Sequence, residues 1–434
     1  MVEMEREFWD EEIETLPPKE LQDLQLERLK EIVRYVYERN PAYRERFQAA
    51  KVKPSDINKL EDLQKLPFLT KDDLRNYYPF GLLCVPREEV VYLHASSGTT
   101  GKPVVGTYTK RDLENWAQLM ARCLWAGGLR KGDVFHNAYG YGLFTGAHGH
   151  ELGAELIGAT VIPMGAGNTK RQLQLMRDFG ATALGATPSY TLYMAEVAQE
   201  MGLDPRRDFQ IRLGFLGAEA WSDELKEKIE KTWGMAAREQ YGLTEVIGPG
   251  VSFDCGAGQG LHVNADHFLV EIVDPQTGEP LPPGKQGELV FTTLTKEAFP
   301  VIRFRTKDLA VLIEGECPCG RTLPRHSRIL GRADDMLKVK GVIVFPRQIE
   351  EAIMGVAGAS ENYQIVKLEK GPLTDLRVRV EPTPERFRAE GLAGLAERVA
   401  EEIYAMLGVR VEVEAVAPGS LPRSEGKAKR VVEG

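Results

Sequence analysis

The period of the apolar positions changes along the chain. Over residues 17–39, Leu21, Leu24, Ile32, Val33 and Val36 recur at helical spacing behind Pro17 and Pro18, so this stretch predicts one amphipathic packing helix. From about residue 88 the period shortens. EVVYLHA and VVGTYT are β-like runs on either side of SSGTTGKP, and KRDLENWAQLMARCLWAGG reads as helix. Apolar β runs then alternate with helical patterns: VFHNAYG, a helix near 146–157, ATVIPMG, a helix near 169–179, ATALGATP, a helix near 189–201, IRLGFLGAEA and a helix near 222–233. Strands alternating with helices of about 10–15 residues imply βαβ units and a largely parallel sheet. Such sheets bind ligands at the carboxyl ends of their strands.

After Glu245 the pattern turns to β-hairpins, with HFLVEIVD and GELVFTTL flanking the turn-rich PQTGEPLPPGKQ. A new unit begins at GRADDMLKVKG. It holds a helix near 346–354, the strands ENYQIVKLEK and TDLRVRVEP, a helix near 391–407, the strand VRVEVEAV and the polar end PRSEGKAKR. The expected fold class is α/β. A helical region over 1–87 precedes a large domain over 88–333, β-rich from about 250, and a small α+β C-terminal domain occupies 334–434.

Composition adds exclusions. The chain has 434 residues, enough for a large core, with 43% hydrophobic and 27% charged residues. A net charge of −9 argues against a general nucleic-acid binder, although a local basic loop can still hold an anion. No run approaches the roughly 18 apolar residues of a membrane span. The acidic start MVEMEREFWDEEIETL lacks a secretory apolar core, so a cytoplasmic location is expected. The 5 cysteines, with Cys317 and Cys319 almost adjacent, do not resemble a disulfide framework.

The densest chemistry lies in Ser96-Ser97-Gly98-Thr99-Thr100-Gly101-Lys102-Pro103. Its glycines let backbone approach a ligand, and its hydroxyls and lysine suit phosphate. The nucleotide-binding pattern GxxxxGK[ST] is the obvious rival. Here the spacing is GxxGK, proline replaces the magnesium-binding hydroxyl, and the loop joins two β-like runs instead of opening a helix. A hairpin tip without function is the plain alternative. SSGTTGKP resembles the phosphate loop of the adenylate-forming superfamily of acyl-CoA synthetases and luciferases. With His94 before it, HASSGTTGKP is similar to the phenylacetate–CoA ligase branch.

Further segments follow in the family's order, so that the match spans about 90 to 430. The resemblance implies that Thr244 of Tyr241-Gly242-Leu243-Thr244-Glu245 meets the α-phosphate, and that Glu245 holds Mg²⁺. Asp308 of Phe304-Arg305-Thr306-Lys307-Asp308 would accept both ribose hydroxyls; Lys307 stands where the family often has glycine, a departure that bears on loop shape. In Gly331-Arg332-Ala333-Asp334-Asp335, Arg332 would lie near the nucleotide and Asp334 would be the hinge of a mobile C-terminal lid. Gly217, Ala218 and Glu219 resemble the segment beside adenine. Lys427 would reach the attacking carboxylate and α-phosphate during adenylation, with Lys429 as the rival and a disordered basic tail as the plain alternative.

Tyr139, Tyr141 and Phe144 follow a predicted strand among glycines. They could form a slot for an aryl acid, or simply be core. Cys255, His262, Cys317 and Cys319 are the ligand types of a closed structural zinc site, in a spacing unlike a standard zinc finger; unrelated cysteines in a β-rich region are the alternative.

The resemblance implies an enzyme that uses Mg·ATP to turn an aryl acid, phenylacetate above all, into acyl-AMP. CoA is the implied co-substrate that then takes the acyl group, and a homodimer would be in keeping. Two alternatives stand beside it: an adenylyltransferase acting on another acceptor, such as a deazaflavin coenzyme, and a nucleotide-binding relative without catalysis.

Overall fold

A computed structural model of the chain describes residues 7–96, 102–339, 342–370 and 373–434. Ser97, Gly98, Thr99, Thr100 and Gly101 of the glycine-rich loop lie outside the described residues. On either side of them, β1 (Tyr92–Ala95) and β2 (Val105–Tyr108) pair antiparallel, with Ala95 opposite Val105.

The predicted alternation produces β3 (Val134–Asn137), β4 (Thr160–Ile162), β5 (Ala183–Ala186), β6 (Leu213–Gly217) and β7 (Ala236–Leu243). They run parallel in the order β4-β3-β5-β6-β7. Antiparallel strands extend this sheet through β8 (Gly248–Phe253), β9 (Leu261–Val263), β10 (Phe268–Val273), β11 (Gln286–Thr293), β12 (Phe304–Ile313) and β13 (Arg325–His326). Their order from β7 is β8-β9-β13-β12-β11-β10, and β14 (Gly331–Arg332) pairs with β12.

Helices cover the parallel half. Thr109 and Asp112 form a reciprocal cap that starts the helix Lys110–Ala126. That helix buries Trp116, Leu119 and Met120, and it packs closely on the helix Thr145–Ile157. A side chain at Gly153 would lie 2.6 Å from the Met120 backbone, so glycine permits the approach. The N-terminal helix Pro18–Arg39 is the expected packing element: Leu29 and Val33 share one core with Phe291 and Phe304 of the β-rich part. Among the described residues no helix is long and apolar enough to cross a membrane.

The small domain holds β15 (Leu337–Val339), β16 (Val342–Val344), β17 (Ala359–Lys370), β18 (Leu373–Pro382), β19 (Glu412–Ala415) and β20 (Val431–Glu433). Its core packs Ile349, Ile353, Ile365, Val378, Val399 and Ile403.

Three details differ from the expected elements. The helix expected over 391–407 begins at Leu395, because Gly391 and Gly394 take left-handed φ of 63° and 65°; a separate helix, Pro384–Glu390, precedes it. A strand absent from the expected elements follows the helix near 222–233: Tyr241, Gly242 and Leu243 end β7, whose AAREQ start carries no β-like pattern. The polar tail also returns to the sheet, with β20 parallel to β17.

Candidate active site

A cavity of about 280 Å³ opens beyond the carboxyl ends of β6 and β7. At the end of β6, a side chain on Gly217 would lie 2.2 Å from the Gln240 carbonyl oxygen, so glycine is required there. Ala218 follows with φ of 70°, and this turn directs Gly217, Ala218 and Glu219 to the cavity wall. The Glu219 carboxylate accepts hydrogen bonds from the Ser189 backbone and hydroxyl and from the Ala428 backbone N–H at 3.0 Å.

At the end of β7, Gly242 passes so close to Gly248 that a side chain would meet its carbonyl oxygen at 1.9 Å. Tyr241, Gly242 and Thr244 line the cavity, and Glu245, equally buried, follows them. Lys71 Nζ, from the helix Lys71–Asn76, lies 3.2 Å from Glu245 Oε1. At the two ends of the SSGTTGK segment, Ser96 lines the cavity and Lys102 Nζ sits 5.7 Å from the Tyr78 ring centre.

Asp308 is held on both oxygens. Tyr241 donates its phenol proton to Oδ2 at 2.8 Å, and Arg332 donates to Oδ1 at 2.8 Å. Burial raises the Asp308 pKa above the usual carboxylate value, against the opposite pull of Arg332. Lys307 takes φ of 69°, the left-handed conformation that favours glycine. Its backbone N–H donates to buried Glu288 at 3.0 Å, and Arg305 pairs with the same carboxylate. The loop thus keeps a glycine-like shape with a lysine in it.

Arg332 also makes a two-pronged contact with Asp334, at 2.9 and 3.0 Å. Asp334 stands between β14, which belongs to the large sheet, and β15, which belongs to the small one. Lys427 comes from the small domain and lines the cavity; Lys429 does not. Lys427 is carried by a loop whose Gly426 carbonyl accepts from Thr187 Oγ1 at 2.9 Å.

Tyr139 and Phe144 line the cavity, together with His150. The Tyr139 ring stacks on His150 at 4.7 Å, and its hydroxyl donates to the Phe215 carbonyl at 3.1 Å. Burial pushes the His150 pKa down to about 4, so the ring is neutral near pH 7. A second cavity of about 200 Å³ shares Tyr139, Phe144, Ala218 and Lys427 with the first. The expectation for Tyr141 needs correction: it lines neither cavity. Its ring faces Gly165 and its hydroxyl accepts from Asn137 Nδ2 at 3.2 Å, which turns it away.

Sequence reasoning missed Glu239, Gln240, His150 and Lys71. Glu239 and Gln240 line the cavity and stand just before Tyr241, so their adjacency to that motif was the available signal. Burial pushes the Glu239 carboxyl up to about 7, although Arg328 lies 3.2 Å away. Both polar side-chain atoms of buried Gln240 lack a partner among the described residues.

The ligand atoms of Cys255, His262, Cys317 and Cys319 lie within 4.8 Å of one another. Pairing of β9 with β13 sets His262 opposite Arg325 and draws the segment containing Cys317 and Cys319 onto it. A tetrahedral zinc, with bonds of about 2.3 Å to sulfur and 2.0–2.1 Å to nitrogen, sets edges of roughly 3.8 Å between sulfurs and 3.5 Å from sulfur to nitrogen. Cys255 and Cys317 sulfurs are 3.7 Å apart, and Cys319 sulfur is 3.4 Å from His262 Nε2. The Leu323 carbonyl, 3.1 Å from His262 Nδ1, keeps the proton on that nitrogen and turns the Nε2 lone pair towards the sulfurs. The donor set fits zinc.

The chain matches the AMP-binding enzyme family over residues 12–294 and the AMP-binding enzyme C-terminal domain over residues 341–434. It is 47% identical to a phenylacetate–coenzyme A ligase of Thermus thermophilus, over 98% of this chain and 99% of the relative. It superposes on 2-hydroxyisobutyryl-CoA ligase in its postadenylation state with a TM-score of 0.94, at 30% identity, over 100% of this chain and 94% of that one. The TM-score falls to 0.75 against the same ligase with CoA in its thioesterification state, at 31% identity and again over 100% and 94% of the two chains. The two domains are therefore arranged as in the postadenylation state, with the lysine-bearing loop over the cavity. The chain belongs to the AMP-binding enzyme family, in the phenylacetate–coenzyme A ligase branch of its acid–thiol ligases.

Proposed function

We propose that the protein joins phenylacetate to coenzyme A in two half-reactions. A carboxylate oxygen of phenylacetate attacks the α-phosphorus of ATP, forming phenylacetyl-AMP as pyrophosphate leaves. The CoA thiol then attacks the acyl carbon, its proton is lost, and AMP departs with the bonding pair. The observation that carries this reading is that Lys427, Thr244, Asp308 and the aromatic pair Tyr139 and Phe144 all line one cavity.

Each residue has a role in it. Asp308 accepts the ribose hydroxyls, and Arg332 fixes it in place. Gly217, Ala218, Glu219, Tyr241 and Gly242 form the wall beside the adenosine. The segment from Ser96 to Lys102, with Thr244, meets the phosphates. Lys427 stabilises the negative charge that builds as the carboxylate meets phosphorus. Tyr139 and Phe144 form a flat apolar slot for the aryl ring. Tyr139 cannot turn freely, because both its ring and its hydroxyl are engaged. Glu245 is the carboxylate that would hold Mg²⁺ in place of Lys71, and the ion, when bound, would neutralise phosphate charge. Asp334 is the hinge about which the small domain turns between the half-reactions. The Cys255, His262, Cys317 and Cys319 set binds structural zinc, because four protein ligands leave no open position for chemistry.

AMP formation across a panel of acids, with and without CoA, tests the substrate. Phenylacetate should give the highest kcat/KM and a CoA thioester. Faster turnover of a short aliphatic acid would contradict the aryl slot.

A further inference from the structure

The loop that carries Lys427 is fastened to the large domain on both sides of that residue. Before it, Thr169 Oγ1 donates to Glu425 Oε1 at 2.9 Å, and Thr187 Oγ1 donates to the Gly426 carbonyl at 2.9 Å. After it, the Ala428 N–H donates to Glu219 at 3.0 Å. Both threonines are nearly buried and begin helices on the far side of the domain boundary. Thr169 does not act as a cap: its helix is preceded by Asn168, which makes no side-chain cap bond.

The Thr169 hydroxyl is oriented from behind. A carboxylate can only accept, so the Thr169 proton points to Glu425, and Tyr190, 3.0 Å away, must donate its own proton to the Thr169 oxygen. Gln172 donates in turn to the Tyr190 oxygen at 2.8 Å. Thr169, Gln172 and Tyr190 all belong to the large domain.

We infer that Thr169, Thr187 and Glu219 form a latch that holds the Lys427 loop in its adenylating position and must release before CoA can react. They are positioning residues for the first half-reaction, and the two threonines are dispensable for the second. The inference rests on the proposed role of Lys427. Because the hydroxyl–carboxylate contact crosses from one domain to the other, it exists only in the latched arrangement.

The test measures phenylacetate-dependent ATP–pyrophosphate exchange, and separately thioester formation from preformed phenylacetyl-AMP and CoA. The proteins are the full-length wild type, Thr169→Val, Glu425→Ala, their double variant and Thr169→Ser. Thr169→Val and Glu425→Ala should each slow exchange roughly tenfold, the range of a hydrogen bond to a charged group. The double variant should be no slower than either single one, and Thr169→Ser should restore exchange. Thioester formation should hold or rise in all of them. Unaltered exchange in the single variants, multiplied losses in the double variant, or an equal fall of both half-reactions overturns the latch while leaving the activity in place. Absence of exchange in the wild type overturns the ligase reading and the latch with it.

Discussion

Tyr241 and Asp308 meet through a 2.8 Å hydrogen bond from phenol to carboxylate, although they lie on different strands of the large sheet. With Arg332 on the other oxygen, two protein groups orient the carboxylate. Ionised carboxylates have about four acceptor sites, so two remain for the ribose hydroxyls.

Removing Asp308 should therefore weaken ATP binding more than removing its support. Asp308→Ala is expected to raise KM for ATP by roughly tenfold or more, and Tyr241→Phe by a smaller factor. Steady-state kinetics with varied ATP checks the ranking. Equal KM values in the wild type and Asp308→Ala would remove Asp308 from the nucleotide site.

Glu239 gives a pH prediction. Its folded pKa is raised from 4.5 to about 7 by burial, partly opposed by Arg328, with Asp254 adding to the rise and Arg347 and Lys226 reducing it. The folded state thus holds this proton more tightly than the unfolded chain does. The stabilising contribution is complete below pH 4.5 and is lost as pH rises through about 7. Glu239→Gln mimics the protonated form. It should leave Tm near the wild-type value at pH 5 and raise it by about 2 °C or more at pH 8. Arg328 would keep Asp223 as a partner at 3.3 Å. A variant less stable than wild type at pH 8 would show the ionised carboxylate to be stabilising.

Zinc makes a separate prediction. Protein purified without chelator should carry about one equivalent of zinc, given one four-ligand set. Cys317→Ser should lose the metal and lower Tm by several degrees, since closed sites of this kind contribute folding energy. Elemental analysis of both proteins decides it, and less than about half an equivalent in the wild type would rule out the site.

Local pattern carried much of this architecture. The runs YLHA and VGTY become paired strands on either side of SSGTTGKP, as their hydrophobic period suggests. The helices after β3, β4 and β5 follow their apolar stripes. β7 was hidden, since Ala, Arg, Glu and Gln have little β propensity; the strand exists because β6 and β8 pair on its two sides. Motifs placed Asp308, Thr244 and Lys427 in one cavity, and spacing could not. Tyr141 departs for a local reason: its hydroxyl accepts from Asn137, a contact that no pattern in the sequence announces. Lys71 was unreadable because it comes from a short helix that no apolar period marks, and His150 because the apolar stripe of its helix does not tell a cavity-lining position from a core one.

The most direct test of the two-step reaction compares Lys427→Ala with wild type in the separate half-reactions. Phenylacetate-dependent ATP–pyrophosphate exchange should fall about 10²–10³-fold, as when one preorganised charge is lost. Thioester formation from preformed phenylacetyl-AMP and CoA should be largely retained. An equal loss in both half-reactions would contradict the assignment of Lys427 to adenylation and of the small domain to a lid that changes place between the steps.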